Sequence, residues 1–427
     1  MEVLRLDKYV IAGRKRLEGK VKVSGAKNST LPILAACLLS QGTCTLEDIP
    51  RIQDVKVMKE VLEHLGCRVK WEGNTMEVSA GSLKPTEASE ALARKMRASN
   101  LVLGPLLGRF GSAKISAPGG CNIGDRPMDQ HIKGLKLMGV EVTEKGGYYD
   151  ARVKKLRGAD IHLDVPSVGA TENLMMAASV AEGTTIIRNA AREPEIIDLQ
   201  NFLNEMGAKV KGAGLDSIRI DGVKRLGQAD HTVIPDRIEA GTFMVAAAIT
   251  QGDVVVCNVI PEHLEPVTSK LREAGAEVTL GGDWIRVKAT ERLKAVDLRT
   301  LPYPGFPTDM QPQMMALMAT LEGTSVISES IFDKRYQHVD ELRRMGVRVK
   351  VEGNVAVIHG VEMLDGAFVE ATDLRAGAAL VLAGLAADDA TIIENIFHID
   401  RGYENLDIKY RNLGARITRI STTTGAR

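Results

Sequence analysis

One mark recurs six times along this chain and limits what it can fold into. The pattern Leu-x-x-apolar-Gly-x-x-Val reads LEHLGCRV, LKLMGVEV, LNEMGAKV, LREAGAEV, LRRMGVRV and, with Tyr leading and Ile closing, YRNLGARI. Its glycines are Gly66, Gly139, Gly207, Gly275, Gly346 and Gly414, at intervals of 73, 68, 68, 71 and 68 residues. A second mark (QGTCTL, GSAKIS, EGTTII, QGDVVV, EGTSVI, DDATII) precedes each by 23 to 28 residues. Two marks kept in phase predict six copies of one unit of roughly 70 residues.

Each copy reads alike. An Ala/Leu/Met-rich stretch such as LPILAACLL or MMALMATL has the composition and length of a helix. A Gly-Thr turn and a β-branched run, as in TTIIRN or DVVVCN, then predict a strand. The segment VKVMKEVLEHLG carries apolar residues at helical spacing, and its closing glycine suits a left-handed C-cap. A short strand such as CRVKWEG ends the copy. Strand and helix alternating throughout predict an α/β chain rather than a helical solenoid, whose repeats run to roughly 20–50 residues. The midpoint falls near QADHTVIPDRIEAGTF, where Pro235 and its polar flanks suit a passage between two lobes. The expected division is a first lobe over 26–235 and a second over 236–427, three copies each. Residues 1–25 precede the first copy and hold two strand-like runs, KYVIAG and KVKVSG, assigned to the second lobe.

Composition removes several classes of function. Lys+Arg and Asp+Glu both number 55, so the chain lacks the basic footprint of a general nucleic-acid binder. No apolar run approaches the roughly 18 residues of a membrane span, and the N-terminus has no signal-peptide core. Cys37, Cys44, Cys67, Cys121 and Cys257 are odd in number and form no C-x-x-C pair, which suits a reducing, cytoplasmic compartment. The eight histidines never fall within five residues of one another, so no helical pair offers a metal site, and no metal is expected.

Function should show where the copies differ. Lys27, Arg97, Asp309 and Arg375 stand 15, 14, 14 and 14 residues before their turn marks, at one repeat-equivalent position. Cations at a helix start oppose its dipole unless an anion binds there; spacing alone leaves open that these are solvated helix ends. The second copy carries SAPGGCNIGDRPMDQH, where Cys121 sits among Gly119, Gly120 and Gly124 with Arg126 five residues on. A thiol beside a cation can serve as proton donor or nucleophile, although most cysteines are small buried apolar residues. Arg335 and Arg401 add further positive charge. No phosphate-binding glycine loop and no nucleophile elbow occurs.

Read together, SGAKNS, MRAS, PGGCNIGDRP, PSVGATEN, PDRIEAGTF, GFPTDMQ, DLRAG and HIDRGYE resemble the UDP-N-acetylglucosamine enolpyruvyl transferase family over essentially the whole chain. The resemblance implies a two-lobed inside-out α/β barrel of six βαβαββ units, with the active site in the cleft between lobes and no cofactor. It implies transfer of enolpyruvyl from phosphoenolpyruvate to the 3′-hydroxyl of UDP-N-acetylglucosamine with release of phosphate, the first committed step of peptidoglycan synthesis. Both substrates are then partners of the chain, nucleic acid and membrane are not, and fosfomycin is an expected inhibitor. By motif, Cys121 matches the proton donor and Asp309 the carboxylate that meets the attacking hydroxyl. Lys27, Asn28, Arg126, Arg335, Arg375 and Arg401 match phosphoenolpyruvate ligands, Lys27 and Arg401 among the catalytic set. Arg97, Arg126, Pro127, Met128, Asp129, Gln130, Ser167, Val168, Gly169, Asp309 and Ile331 match the nucleotide-sugar site. Departures are Val165, where many relatives have Lys, Met128 and Gln130 in place of Val and Leu, and Asp125 beside Arg126. The alternatives are a 5-enolpyruvylshikimate-3-phosphate synthase-like transferase, disfavoured by GAKNSTLP and the cysteine loop, and a non-catalytic paralogue, disfavoured by the intact charged set.

Overall fold

The β-branched runs become strands that bury alternate residues. In Asp253–Cys257, Val254 and Val256 are buried while Asp253, Val255 and Cys257 stay half-buried, the period-two pattern of a sheet with one face on a core. The computed structural model describes residues 5–81, 83, 97–116 and 128–423. Among these, strands form five four-stranded sheets and one three-stranded sheet. Each four-stranded sheet is mixed, with one parallel and two antiparallel pairings. Thus Thr43–Glu47 runs parallel to Asp230–Thr232, with Leu46 opposite His231, and antiparallel to Thr75–Ser79, with Cys44 opposite Val78.

The described residues divide into two compact units, a first within Gly25–Ile234 and a second made of the segments up to Ser24 and from Pro235 onward. Each has its own hydrophobic core. The N-terminal strands are sewn into the second unit. Arg5–Ala12 lies antiparallel between Ala390–Glu394 and Arg416–Thr423, and Glu18–Lys22 runs parallel to Asp253–Cys257.

Two kinds of helix follow from two kinds of sequence. Gln53–His64 buries Asp54, Val55, Val57, Met58, Val61 and Leu62 and leaves Lys56, Glu60, Glu63 and His64 exposed. Gly66 follows with φ 101°, and all six glycines of the sequence mark lie between 82° and 104°, the left-handed region a helix C-cap uses. The Ala/Leu/Met stretches instead have no polar stripe and are buried all round. In the second unit, Arg237–Ile249, Gln311–Met318 and Leu374–Ala386 pack on one another. Every residue of Leu374–Leu385 is buried. In the first unit the counterparts are Lys27–Ala36, Val168–Ala178, and the 3₁₀ turn Arg97–Val102 running into the helix Leu103–Phe110. Gly104 is required here, because a Cβ would fall 2.3 Å from the Asn173 carbonyl oxygen. No helix among the described residues is long and apolar enough to cross a membrane. The consequence for function is positional: Lys27, Ser167, Asp309 and Arg375 all stand at the N-terminal ends of buried helices.

Candidate active site

In the second unit, three residues distant in sequence meet. Asp309 sits on the 3₁₀ turn Thr308–Met310 that leads into Gln311–Met318. Its Oδ1 accepts from Arg335 Nη2 at 3.1 Å, and its Oδ2 accepts from Arg375 Nε at 3.3 Å and Nη2 at 3.0 Å. Both guanidinium side chains are almost fully buried, at 1% and 3% exposure, whereas the carboxylate is 27% exposed. Two buried cations therefore converge on one carboxylate that still reaches solvent. Burial alone would discourage charge on Arg375, but the Asp309 carboxylate outweighs it and holds the proton more tightly than usual. Arg335 Nε is buried without a hydrogen-bond partner among the described residues, and the Arg375 guanidinium lies 5.5 Å from the Tyr403 ring centroid.

The surroundings hold this group in place. Asp373, the residue before the helix, caps it by accepting from Arg375 N at 2.8 Å and Ala376 N at 3.1 Å. Tyr403 is buried, and its hydroxyl lies 3.0 Å from Thr242 Oγ1 and 3.2 Å from Gln313 Nε2. The buried Glu329 carboxylate accepts from Thr300 Oγ1 at 2.8 Å, Thr308 Oγ1 at 3.0 Å and the backbone N–H groups of Ile331 (2.8 Å) and Phe332 (3.2 Å). It thereby fixes both the Asp309 turn and Ile331. His338 is fully buried. Burial, opposed by the Asp373 carboxylate and reinforced by Arg335, pushes its imidazole down to about 4, so it is neutral at pH 7. Arg401, half-buried at the end of the short helix Phe397–Asp400, acts with burial to push His398 down.

In the first unit, Lys27 opens its helix, and its Nζ pairs with Asp54 Oδ2 at 3.0 Å. Asp54 comes from Gln53–His64 and is only 4% exposed. Asn28 is half-buried next to it. Ser167 caps Val168–Ala178, its Oγ accepting from Ala170 N at 3.4 Å, with Val168 and Gly169 half-buried in the first turn. Met128 is buried, its sulfur 3.2 Å from Asn100 Nδ2. Asp129 opens the helix Asp129–Leu137 and accepts from Gln130 Nε2 at 2.8 Å. The buried Gln130 also donates to Asp164 Oδ2 at 3.1 Å and accepts from Asp164 N at 2.9 Å. Gln130 thus ties the first turn of this helix to Asp164. Cys121, Arg126, Pro127 and Asp125 lie outside the described residues, as does the side chain of Arg97, whose backbone opens a 3₁₀ turn. Val165 is 56% exposed.

Of the other cysteines, Cys37, Cys44 and Cys67 are buried and Cys257 half-buried. Burial pushes the Cys67 thiol up to about 12, while donation from Cys37 brings Cys44 down to about 7 without exposing it. Sequence reasoning missed Asp54, Glu329, Asp373 and His338. Asp373 had a visible signal, an Asp immediately before an apolar helix; the others are single polar residues without a local pattern.

Solved structures share this scaffold. The enolpyruvyl transferase NikO from Streptomyces tendae superposes with a TM-score of 0.89 at 26% identity, covering 98% of this chain and 100% of that one. EPSP synthase from Acinetobacter baumannii gives 0.77 at 21% identity over 97% and 100% of the two chains, a likeness of fold. The class is therefore that of the carboxyvinyl transferases. A profile described as EPSP synthase (3-phosphoshikimate 1-carboxyvinyltransferase) matches residues 11–409, and the chain belongs to that family. Within it, the chain is 59% identical over 416 residues (97% of this chain, 99% of the other) to UDP-N-acetylglucosamine 1-carboxyvinyltransferase 1 of Carboxydothermus hydrogenoformans. It is 57% identical over 420 residues (97% and 95%) to the protein of the same name from Symbiobacterium thermophilum.

Proposed function

We propose that the chain transfers the enolpyruvyl group of phosphoenolpyruvate to the 3′-hydroxyl of UDP-N-acetylglucosamine, releasing phosphate, in peptidoglycan synthesis. The observation that carries the reading is the convergence of buried Arg335 and Arg375 on the half-exposed Asp309, in a chain 59% identical to a transferase of that name. Arg335 and Arg375 present forked donors suited to the planar carboxylate of phosphoenolpyruvate. Asp309, between them, meets the sugar hydroxyl and takes its proton. Lys27, Asn28, Arg126 and Arg401 bind the phosphate end. Cys121 delivers a proton to the CH₂ carbon while the sugar oxygen bonds to C2, giving a tetrahedral intermediate that still bears phosphate. Loss of a proton from the same methyl carbon and departure of phosphate then restore the double bond. Arg97, Arg126 to Gln130, Ser167 to Gly169, Asp309 and Ile331 hold the nucleotide sugar.

Cys121 lies in the first half of the sequence and Asp309 in the second. The same reading takes the chain as six βαβαββ copies in an inside-out α/β barrel; the recurring mixed sheets and the six left-handed glycines support it. The profile's own description names a shikimate substrate, so phosphate release is to be measured with UDP-N-acetylglucosamine and with shikimate 3-phosphate. Release with the nucleotide sugar alone is expected. Release with shikimate 3-phosphate alone would reassign the acceptor, and release with neither would sink the transferase reading.

A further inference from the structure

Next to Lys27 in the chain, buried Ser29 opens a run of polar contacts through buried Asp198 and His231 to Glu205 at the surface, which the reaction itself does not use. Ser29, in the first turn of Lys27–Ala36 and fully buried, donates from Oγ to Asp198 Oδ2. The same oxygen accepts from Ile234 N at 3.3 Å, and the Ile234 carbonyl accepts from Ala26 N, the residue before Lys27, at 2.7 Å. Asp198 therefore grips the start of this helix from both sides. Its other oxygen faces His231 Nε2 at 3.1 Å, and His231 Nδ1 faces Glu205 Oε2 at 2.8 Å. Asp198 and Glu205 come from the helix Pro194–Glu205, and His231 from the strand Asp230–Thr232.

The protonation of His231 follows from this geometry. A neutral imidazole carries one N–H, so it can satisfy only one of two facing carboxylates. Both contacts are hydrogen bonds only when both ring nitrogens are protonated. The charged groups facing the ring are Asp198 and Glu205. The residue opposite on the neighbouring strand is Leu46, Glu47 is engaged by Thr232, and the edge contact is the Phe202 ring at 5.5 Å. Burial opposes the charge on His231, but the two carboxylates outweigh it and raise the imidazole above its usual value.

We propose that Ser29, Asp198, His231 and Glu205 form a positioning network for the helix start, holding Lys27 and Asn28 for phosphoenolpyruvate while His231 carries both protons. It rests on the transferase reading for the role of Lys27. With the folded value raised, the network is intact at low pH and is lost as pH rises through the titration of His231. Above that point the one remaining N–H can bond Asp198, at 3% exposure, or Glu205, but not both, so the link from Glu205 through His231 to Asp198 is broken at one of its two contacts.

The test uses the full chain with His231→Gln and Ser29→Ala, each checked by thermal melting. KM for phosphoenolpyruvate and kcat are read at saturating UDP-N-acetylglucosamine over about pH 6 to 9. In parallel, acetylation of Lys27 by acetic anhydride is followed by peptide mass. Wild type should show KM rising on the alkaline side with the nucleotide-sugar KM unchanged. His231→Gln should raise KM about threefold or more at low pH and remove the rise. Both variants should change the rate of Lys27 acetylation. If His231→Gln does not fold, Ser29→Ala decides on the same readouts. Folded variants with wild-type KM profiles and wild-type Lys27 reactivity would overturn the network. If wild type transfers nothing, the transferase reading falls, and Lys27 reactivity alone then decides for or against the network.

Discussion

The helix ends of the two units solve the same electrostatic problem differently. In the second unit the buried cations, Arg335 and Arg375, are neutralised by Asp309, a carboxylate that remains 27% exposed. In the first unit the cation is Lys27, itself 13% exposed, and its carboxylate, Asp54, is buried at 4%. The second unit leaves a carboxylate partly exposed between buried arginines; the first leaves a lysine more exposed than the carboxylate it pairs with. Capping follows the same contrast. Asp373 caps the Arg375 helix with two backbone bonds, whereas the Lys27 helix has no side-chain cap. A guanidinium forked onto a carboxylate is oriented and stiff, and a lysine ammonium is a point charge on a flexible stem. On the proposed reaction, the forked arginines suit a planar acid and Asp309 a hydroxyl proton, and the lysine suits a phosphate.

The sharpest break of this comparison is Asp309→Ala. It should abolish transfer and, by leaving two buried guanidiniums unpaired, cost about 3–5 kcal/mol of stability. Removing Asp54 in the first unit should cost less, because it strands one cation at 13% exposure rather than two at 1% and 3%. Phosphate release and urea unfolding check both, and equal unfolding losses for Asp309→Ala and Asp54→Ala would erase the distinction. Next is the acid. Cys121→Ala should fold normally and lower turnover by about 10²–10⁴-fold, the usual worth of positioned proton transfer. Fosfomycin should modify Cys121 and spare the buried Cys37, Cys44 and Cys67; peptide mapping that found the adduct on Cys44 would move the reactive thiol elsewhere. Lys27→Ala should cost about 1.5–3 kcal/mol in phosphoenolpyruvate-dependent kcat/KM, the range for a charge-assisted contact. Arg348→Ala, an exposed cation on a strand, serves as the control and should leave kcat/KM unchanged. The smallest effect is in the caps. Asp373→Ala should cost toward the upper end of about 0.5–2 kcal/mol, and Ser167→Ala, whose single bond is 3.4 Å long, toward the lower. Calorimetric melting that ranked them the other way would show that cap geometry does not set the helix ends here.

Local rules carried much of the architecture. The left-handed glycines, the one-sided strands and the helices buried all round are each properties of a few consecutive residues, so periodicity and turn chemistry expose them in the chain itself. The charged outliers at helix starts were legible for the same reason, since a repeat makes a departure visible. Motif resemblance, not spacing, assigned them roles. What tertiary structure alone decided is which distant groups meet: that Asp309 takes two arginines 26 and 66 residues away, that Asp54 pairs with Lys27, and that Glu329 ties Thr308 to Ile331. These pairings depend on how sheets and buried helices pack, and a carboxylate in sequence carries no record of the cation it will face. The same holds for His231. Nothing around it in the chain marks it as charged; the two carboxylates that make it so arrive only when Pro194–Glu205 packs against Asp230–Thr232.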